Sequence, residues 1–153
     1  MRLLKRLHNY PDSEPEQAIV RLAVAGVVLV YLEAYAYWLY GNLGELAGAV
    51  WAVGVFLGFA AVILGWVLAV PRPLDARRVL AHVGDLGIIS ALMLLYGVHT
   101  TPLYIIYLWV TVGSGLRYGQ QYLLLCTVLS VLGFLLVLNF NPYWRANLTL
   151  GYG

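Results

Sequence analysis

The chain has 153 residues, of which 62% are hydrophobic and 10% charged, with a net charge of +2 and a mean hydropathy of +0.81. Soluble domains carry about 25% charged residues, so this chain has too few to coat a water-exposed domain, and its fold belongs in lipid. A net charge this small gives no argument for nucleic acid as a partner.

Met1-Arg2-Leu3-Leu4-Lys5-Arg6 is basic, but the residues after it are polar and include Pro11 and Pro15 in place of an apolar run, so no cleavable leader is expected. Residues 1–17 are expected to form a cytoplasmic juxtamembrane arm. A Ser or Asx cap at Asp12-Ser13, with Glu14 and Glu16 in the first turn, would favour a helix start there.

A helix needs about 20 mostly apolar residues to cross a hydrocarbon core of about 30 Å. Four segments have that length, approximately 18–40, 46–70, 79–97 and 120–139. A fifth and shorter one runs from Leu103 to Val112 or Leu116. After Pro142 the chain turns, and Asn147-Leu148-Thr149-Leu150 opens another apolar segment, so residues 148–153 are expected to begin a truncated sixth span. The expected fold is an all-α polytopic membrane protein. Residues 18–147 form a compact antiparallel bundle of five transmembrane helices, one of them short and prone to break.

Basic residues set the orientation. Arg2, Lys5, Arg6 and Arg21 precede or begin the first span, Arg72, Arg77 and Arg78 fill the second connection, and Arg117 sits in the fourth. The alternate connections carry only Arg145. The N-terminus and the even-numbered connections are therefore expected in the cytoplasm. Tyr37, Trp38 and Tyr40 end the first span, Tyr96 ends the third, and Tyr143 and Trp144 follow the fifth, as an outer aromatic belt would. Gly44/Gly48 and Gly54/Gly58 repeat at four-residue spacing, which lets helix backbones approach closely in lipid. The single Cys126 lies in an apolar segment and is expected to be a packing residue.

Glu33 and Asp85 are the acidic residues inside apolar spans. An ionisable group at membrane depth costs about 2.5–3.5 kcal/mol and usually faces the bundle interior. Their depths differ by roughly 8 Å at the helical rise, which argues against a shared two-carboxylate catalytic site. Glu33 below Tyr37 and Tyr40 marks either the polar end of a ligand pocket or a protonated carboxyl bonded to a tyrosine. Arg78, His82 and Asp85 share one helix face, either as a structural polar network or as a switch. No nucleophile–base pair, phosphate loop or metal-ligand spacing is present, so no catalytic residue, cofactor or metal is expected.

The short fifth segment runs into Gly113-Ser114-Gly115 and then Arg117-Tyr118. Leu103–Val112 as a helix covers only about 17 Å. Gly113 and Gly115 permit local unwinding, and irregular backbone at this depth must be covered by protein. The segment, with Tyr104, Tyr107 and Trp109 in its first half, is thus expected to be central and to move, the glycine hinge shifting Arg117 relative to Asp85.

SEPEQAIVRL, TPLYIIYLWVTVGSGLRYG, QYL and NPYWRAN, in that order, resemble the membrane sensor region of the diffusible-signal-factor sensor kinases, the Rpf-type hybrid histidine kinases. The resemblance runs from Asp12 to Asn147 and is densest over Pro102–Gly119. It implies an input module in the bacterial inner membrane that perceives a cis-unsaturated fatty-acid signal, whose acyl chain would enter among Tyr104, Tyr107 and Trp109. It further implies a cytoplasmic kinase absent from this chain, homodimers, and a part for Asp12, Ser13, Glu14 and Gln17 in recognising or relaying the signal. The family is usually drawn with five spans and an external N-terminus. The arginines here favour six and a cytoplasmic start, which would make those residues couple the bundle to its output. The alternatives are the membrane sensor module of a nucleotide cyclase or of another output, and a small transporter, although two carboxylates at different depths make a poor polar path.

Overall fold

A computed structural model describes residues 13–41 and 44–147; Asp12, the rest of the basic arm and the start of the sixth apolar segment lie outside the described residues. Among the described residues the chain is helical, with no strand. The helices are α1 (Glu14–Tyr40), α2 (Ala47–Ala69), α3 (Asp75–Tyr96), α4 (Tyr104–Tyr118), α5 (Gln120–Phe140) and the short α6 (Pro142–Ala146). The first three and α5 correspond to the four long apolar segments, and α4 to the short one. Helices long and apolar enough to cross a membrane are thus present, with α3 and α4 forming one continuous apolar stretch, Asp75–Tyr118. Packing divides the chain into two units, Met1–Ala81 and His82–Gly153, with the boundary inside α3.

In the first unit α1 and α2 pack as a hairpin. The helix starts at Glu14, inside the segment expected to be an arm, with a proline in its first turn and Glu14 and Glu16 beside it. Ser13 is the capping residue by position, but its side chain makes no capping bond. The hairpin core is built on alanine: Ala18, Ala25, Leu32 and Ala36 of α1 and Ala49, Val53, Ala60, Ile63 and Val67 of α2 are buried. Gly54 and Gly58 do not serve this packing, since a Cβ at either would meet nothing within 4 Å. The close approach comes from the alanine rows, whose register faces inward, while the glycine pair lies on the exposed side of α2.

The second unit holds the rest of α3 with α4, α5 and α6. Between α3 and α4 lies a 3-10 stretch, Gly97–Leu103. Its Thr100 hydroxyl lies within donating distance of the carbonyls of Leu92 (3.1 Å) and Gly97 (3.2 Å), tying the stretch back to the last turns of α3. Asn141 holds the same region from the other side. Its Oδ1 accepts from the amides of Tyr143 (2.9 Å) and Trp144 (3.3 Å), capping α6, while its Nδ2 donates to the Leu94 carbonyl at 2.8 Å. Trp144 is buried, with its ring edge-on to Phe134 at 5.6 Å. It is therefore a packing residue and not part of a lipid-facing belt. Tyr37 and Trp38, at the end of α1, are exposed as belt residues would be.

A single residue, Gly119, separates α4 from α5. Its φ of 90° and ψ of −173° are open to glycine and strained for any side chain, and this lets two helices meet with no loop. The irregular backbone thus sits at Gly119 and at Gly97–Leu103. α4 runs unbroken through Gly113, Ser114 and Gly115. The Ser114 hydroxyl donates to the Thr111 carbonyl at 2.8 Å within that helix.

Candidate functional site

The first unit contains a buried ionic cluster where three helix ends meet. Glu14 opens α1, Trp66–Val70 closes α2, and Leu74–Arg78 opens α3. One oxygen of the Glu14 carboxylate accepts from Arg77 Nη2, and the other accepts from Arg78 Nε. The second oxygen also lies 3.4 Å from the Leu74 amide. Two arginines in the first turn of α3 would repel the positive end of that helix. The Glu14 carboxylate offsets this repulsion, neutralising the guanidinium groups and meeting a backbone amide at the start of α3.

Arg77 is the centre of this cluster. Its side chain is 1% exposed and that of Glu14 is 4% exposed. Nη1 donates to the carbonyls of Trp66 (3.3 Å) and Val70 (3.2 Å), and Nη2 donates to that of Arg72 (2.9 Å). The guanidinium also lies 5.9 Å from the centre of the Trp66 ring, within cation–π range. One side chain thus gathers the carbonyl end of α2, the proline-flanked connection and the first residue of α1. Arg78 reaches outward from the cluster to Asp75 at 3.5 Å.

The second unit has a separate polar centre. His82 is fully buried, and its ring lies edge-on to Tyr118 and Tyr122, at 5.9 Å from each. The two tyrosine rings are 5.3 Å apart across the Gly119 corner. Asp85, Ser114 and Cys126 are buried in the same unit. Further along, the Ser90 and Tyr107 hydroxyls are 2.8 Å apart, and Ser90 also donates to the Leu86 carbonyl at 2.7 Å. Gly133 of α5 lies against this pair: a Cβ there would fall on Ser90 Oγ and stand 3.4 Å from the Tyr107 hydroxyl. Among the described residues no three of His, Cys, Asp or Glu come together as metal ligands.

The residues singled out from the sequence are distributed unevenly over these centres. Glu14 and Arg78 meet directly; Ser13 and Gln17 flank Glu14 on α1, and Asp12 lies outside the described residues. His82 and Tyr118 meet, with Ser114 and Asp85 buried nearby in sequence register. Arg117 is exposed on the last turn of α4, and no ion pair joins it to Asp85. Tyr104 and Trp109 are exposed, while Tyr107 is buried. At about 100° per residue, Trp109 lies nearly opposite Tyr107 on α4, so the three aromatic residues do not line one wall. Glu33 is half-buried on α1, with Tyr37 exposed one turn on; the Tyr40 side chain lies outside the described residues.

Arg77 was not singled out from the sequence. The signal was present in two parts: the charge pattern puts the N-terminus and the second connection on one side of the membrane, and Glu14 is an acidic residue at that level.

Gly113 and Gly115 separate structurally. A Cβ at Gly113 meets nothing within 4 Å, whereas one at Gly115 comes within 2.9 Å of Leu123 Cδ1 and 3.0 Å of Leu123 Cβ. Gly115 is there for the close approach of α4 to α5, not for backbone freedom. Gly113→Ala is expected to raise stability by about 0.5–1 kcal/mol through helix propensity. Gly115→Ala is expected to lower it, by on the order of 1 kcal/mol or more, because Leu123 Cβ cannot rotate away. Thermal unfolding of the two detergent-purified variants checks this, and equal shifts would refute it.

Two relatives, each the sensory/regulatory protein RpfC of a strain of Xanthomonas campestris pv. campestris, are 34% identical to this chain over 155 residues. The match covers 99% of this chain. The resemblance to the Rpf-type sensory proteins holds. It extends from the motif-dense stretch at Pro102–Gly119 to virtually the whole sequence, including both polar centres. The chain spans about a fifth of the relatives' length, 20%. No family model matches the sequence, and no solved structure matches it.

Proposed function

We propose that this chain is the membrane input module of an Rpf-type two-component sensor kinase. It perceives a cis-unsaturated fatty acid in the bilayer of the bacterial inner membrane and relays occupancy to a cytoplasmic kinase domain of the same polypeptide, within a homodimer. The observation that carries this reading is the 34% identity over 99% of the chain to a protein named sensory and regulatory. Apolar helices of membrane-crossing length support the setting. The absence of any acid–base or nucleophilic constellation in the sequence favours binding over chemistry.

The start of α1 and the start of α3 share one side of the membrane, since Glu14 bonds to Arg77 and Arg78. The arginine excess makes that side the cytoplasm, and Ser13, Glu14 and Gln17 then belong to the relay. α4, which carries the densest resemblance and ends at the one-residue corner Gly119, is the element best placed to transmit movement to α5.

The test is a chimera in which this chain replaces the corresponding fifth of RpfC in cells lacking their own sensor. A transcriptional reporter is expected to respond to a cis-2-unsaturated medium-chain fatty acid and not to its trans isomer. A chimera that inserts in the membrane at wild-type level yet answers both isomers alike, or neither, would reject the reading.

A further inference from the structure

Among the described residues no hydrogen bond or ion pair reaches Glu33, although it lies inside a span. It stands seven residues before Tyr40, the last residue of α1, about 10 Å from that end of the helix. Helical Cα–Cβ bonds tilt toward the N-terminus, so this short side chain leans away from the nearer interface and into the apolar layer. Asp85, the other acidic residue within a span, is buried in its own unit; Glu33 is only half-buried. A polar group at such a depth is costly to leave in lipid and calls for a partner. We propose that α1 is a self-association face on which two copies of this chain meet, Glu33 against Glu33 across a two-fold axis. The place of this contact in a signalling dimer rests on the sensing role proposed above; the contact itself does not.

The chemistry of the group selects a second copy as its partner. In its neutral form a carboxyl carries one donor together with acceptors, so it is complementary to itself. A two-fold axis sets a residue lying on it against its own counterpart, and there two carboxyls bond to each other twice with no donor left over. A cationic side chain on an unrelated span would suit an ionised carboxylate, but it would have to enter the lipid at comparable cost. Hydrogen bonds between helices, with small residues beside them, hold spans together where lipid removes the hydrophobic drive.

The same face of α1 holds such a small residue. At about 100° per residue, Gly26 lies within about 20° of Glu33 round the helix, and Val30 and Tyr37 within about 60°. Val30 is 65% exposed and Tyr37 72% exposed. A Cβ at Gly26 would meet nothing within 4 Å, so no packing within the protomer requires glycine there, although glycine in a helix interior is less favourable than alanine. A second α1 crossing on this face does require it. The hairpin seam with α2 is left intact, because Ala18, Ala25, Leu32 and Ala36 are buried roughly a quarter-turn away. One helix thus serves both contacts at once.

The experiment uses the full chain in lipid vesicles, with energy transfer between donor- and acceptor-labelled copies read against protein density. The wild type is expected to self-associate. Glu33→Val places an apolar residue in an apolar span and is expected to weaken association about five- to thirtyfold, the worth of a polar contact between membrane helices. Glu33→Gln keeps a self-complementary donor and acceptor and is expected to associate nearly as well as the wild type. Gly26→Leu is expected to weaken association while the protein still inserts at wild-type level, since the position is open within the protomer. Gly58→Leu, equally open but on α2, is expected to change nothing. Oxidative cross-linking reads the geometry: Tyr37→Cys is expected to join two copies, and Trp38→Cys, about 100° away, is not. The native Cys126 is buried and takes no part. A wild type that stays monomeric at every density, or association that Glu33→Val leaves unchanged, overturns the proposal. Glu33→Gln as weak as Glu33→Val overturns the hydrogen-bonded pair, and equal cross-linking at both positions overturns the face. The assay contains neither kinase nor fatty acid, so a silent chimera beside a Glu33-dependent dimer would reject the sensing role alone.

Discussion

Replacing Arg77 by alanine is expected to destabilise the protein by about 3–5 kcal/mol, the range seen when one partner of a buried ion pair is removed. The side chain is 1% exposed and binds Glu14 together with the carbonyls of Trp66, Val70 and Arg72. Its loss removes all four of these bonds at once, leaving the Trp66 and Val70 carbonyls with their backbone amide partners and the Glu14 carboxylate with Arg78 and the Leu74 amide. Lysine keeps the charge but presents one ammonium where the guanidinium uses two nitrogens on four acceptors, so Arg77→Lys is expected to fall between wild type and alanine. Methionine fills a similar volume without donors and is expected to resemble alanine. Thermal unfolding in detergent, followed by tryptophan fluorescence, measures all three. An alanine variant that melts within about 2 °C of the wild type would mean a loss under about 1 kcal/mol and would show that Arg77 does not hold these helix ends together.

Gly133→Ala is expected to cost about 1–3 kcal/mol, as overpacking of a filled interior does. The added methyl would fall on Ser90 Oγ, which is held in place by bonds to the Leu86 carbonyl and the Tyr107 hydroxyl. The clash is with the hydroxyl alone: Ser90 Cβ stands 3.4 Å from the same point, an ordinary contact distance. Ser90→Ala should therefore recover most of the loss, although by itself it costs about 1 kcal/mol for the bond to Tyr107. A double-mutant cycle reads the coupling directly. Additive effects, with no recovery in the pair, would show that α3, α4 and α5 do not meet at this point.

These two positions show what was legible beforehand. The helices were readable because in lipid the length of an apolar run and the thickness of the bilayer decide a span without reference to any partner. The burial of Cys126 and the exposure of Tyr37 and Trp38 were readable for the same reason. Residues with two roles were harder. Gly54 and Gly58 carry a packing pattern, yet alanine rows one or more positions away make the contact, because register against the neighbour and not spacing chooses the buried face. Trp144 has belt composition but packs on Phe134, since Asn141 caps α6 and turns it back over the end of α3. Gly113-Ser114-Gly115 reads as a break, while the break falls at Gly119, where a positive φ is required.

The site divides along the same line. That Arg78, His82 and Asp85 share a face follows from helical register alone. That Arg78 turns to Glu14 while His82 packs on Tyr118 and Tyr122 does not, because each partner comes from a different helix and the boundary between the two packing units runs between them. The spans and the family resemblance are properties of composition and local pattern, and so were legible without a fold. Which buried charge meets which was not. Glu14 and Arg77 are 63 residues apart, and a pair at that separation is selected by where helix ends converge, since desolvated charges persist only beside a partner that the fold has already placed.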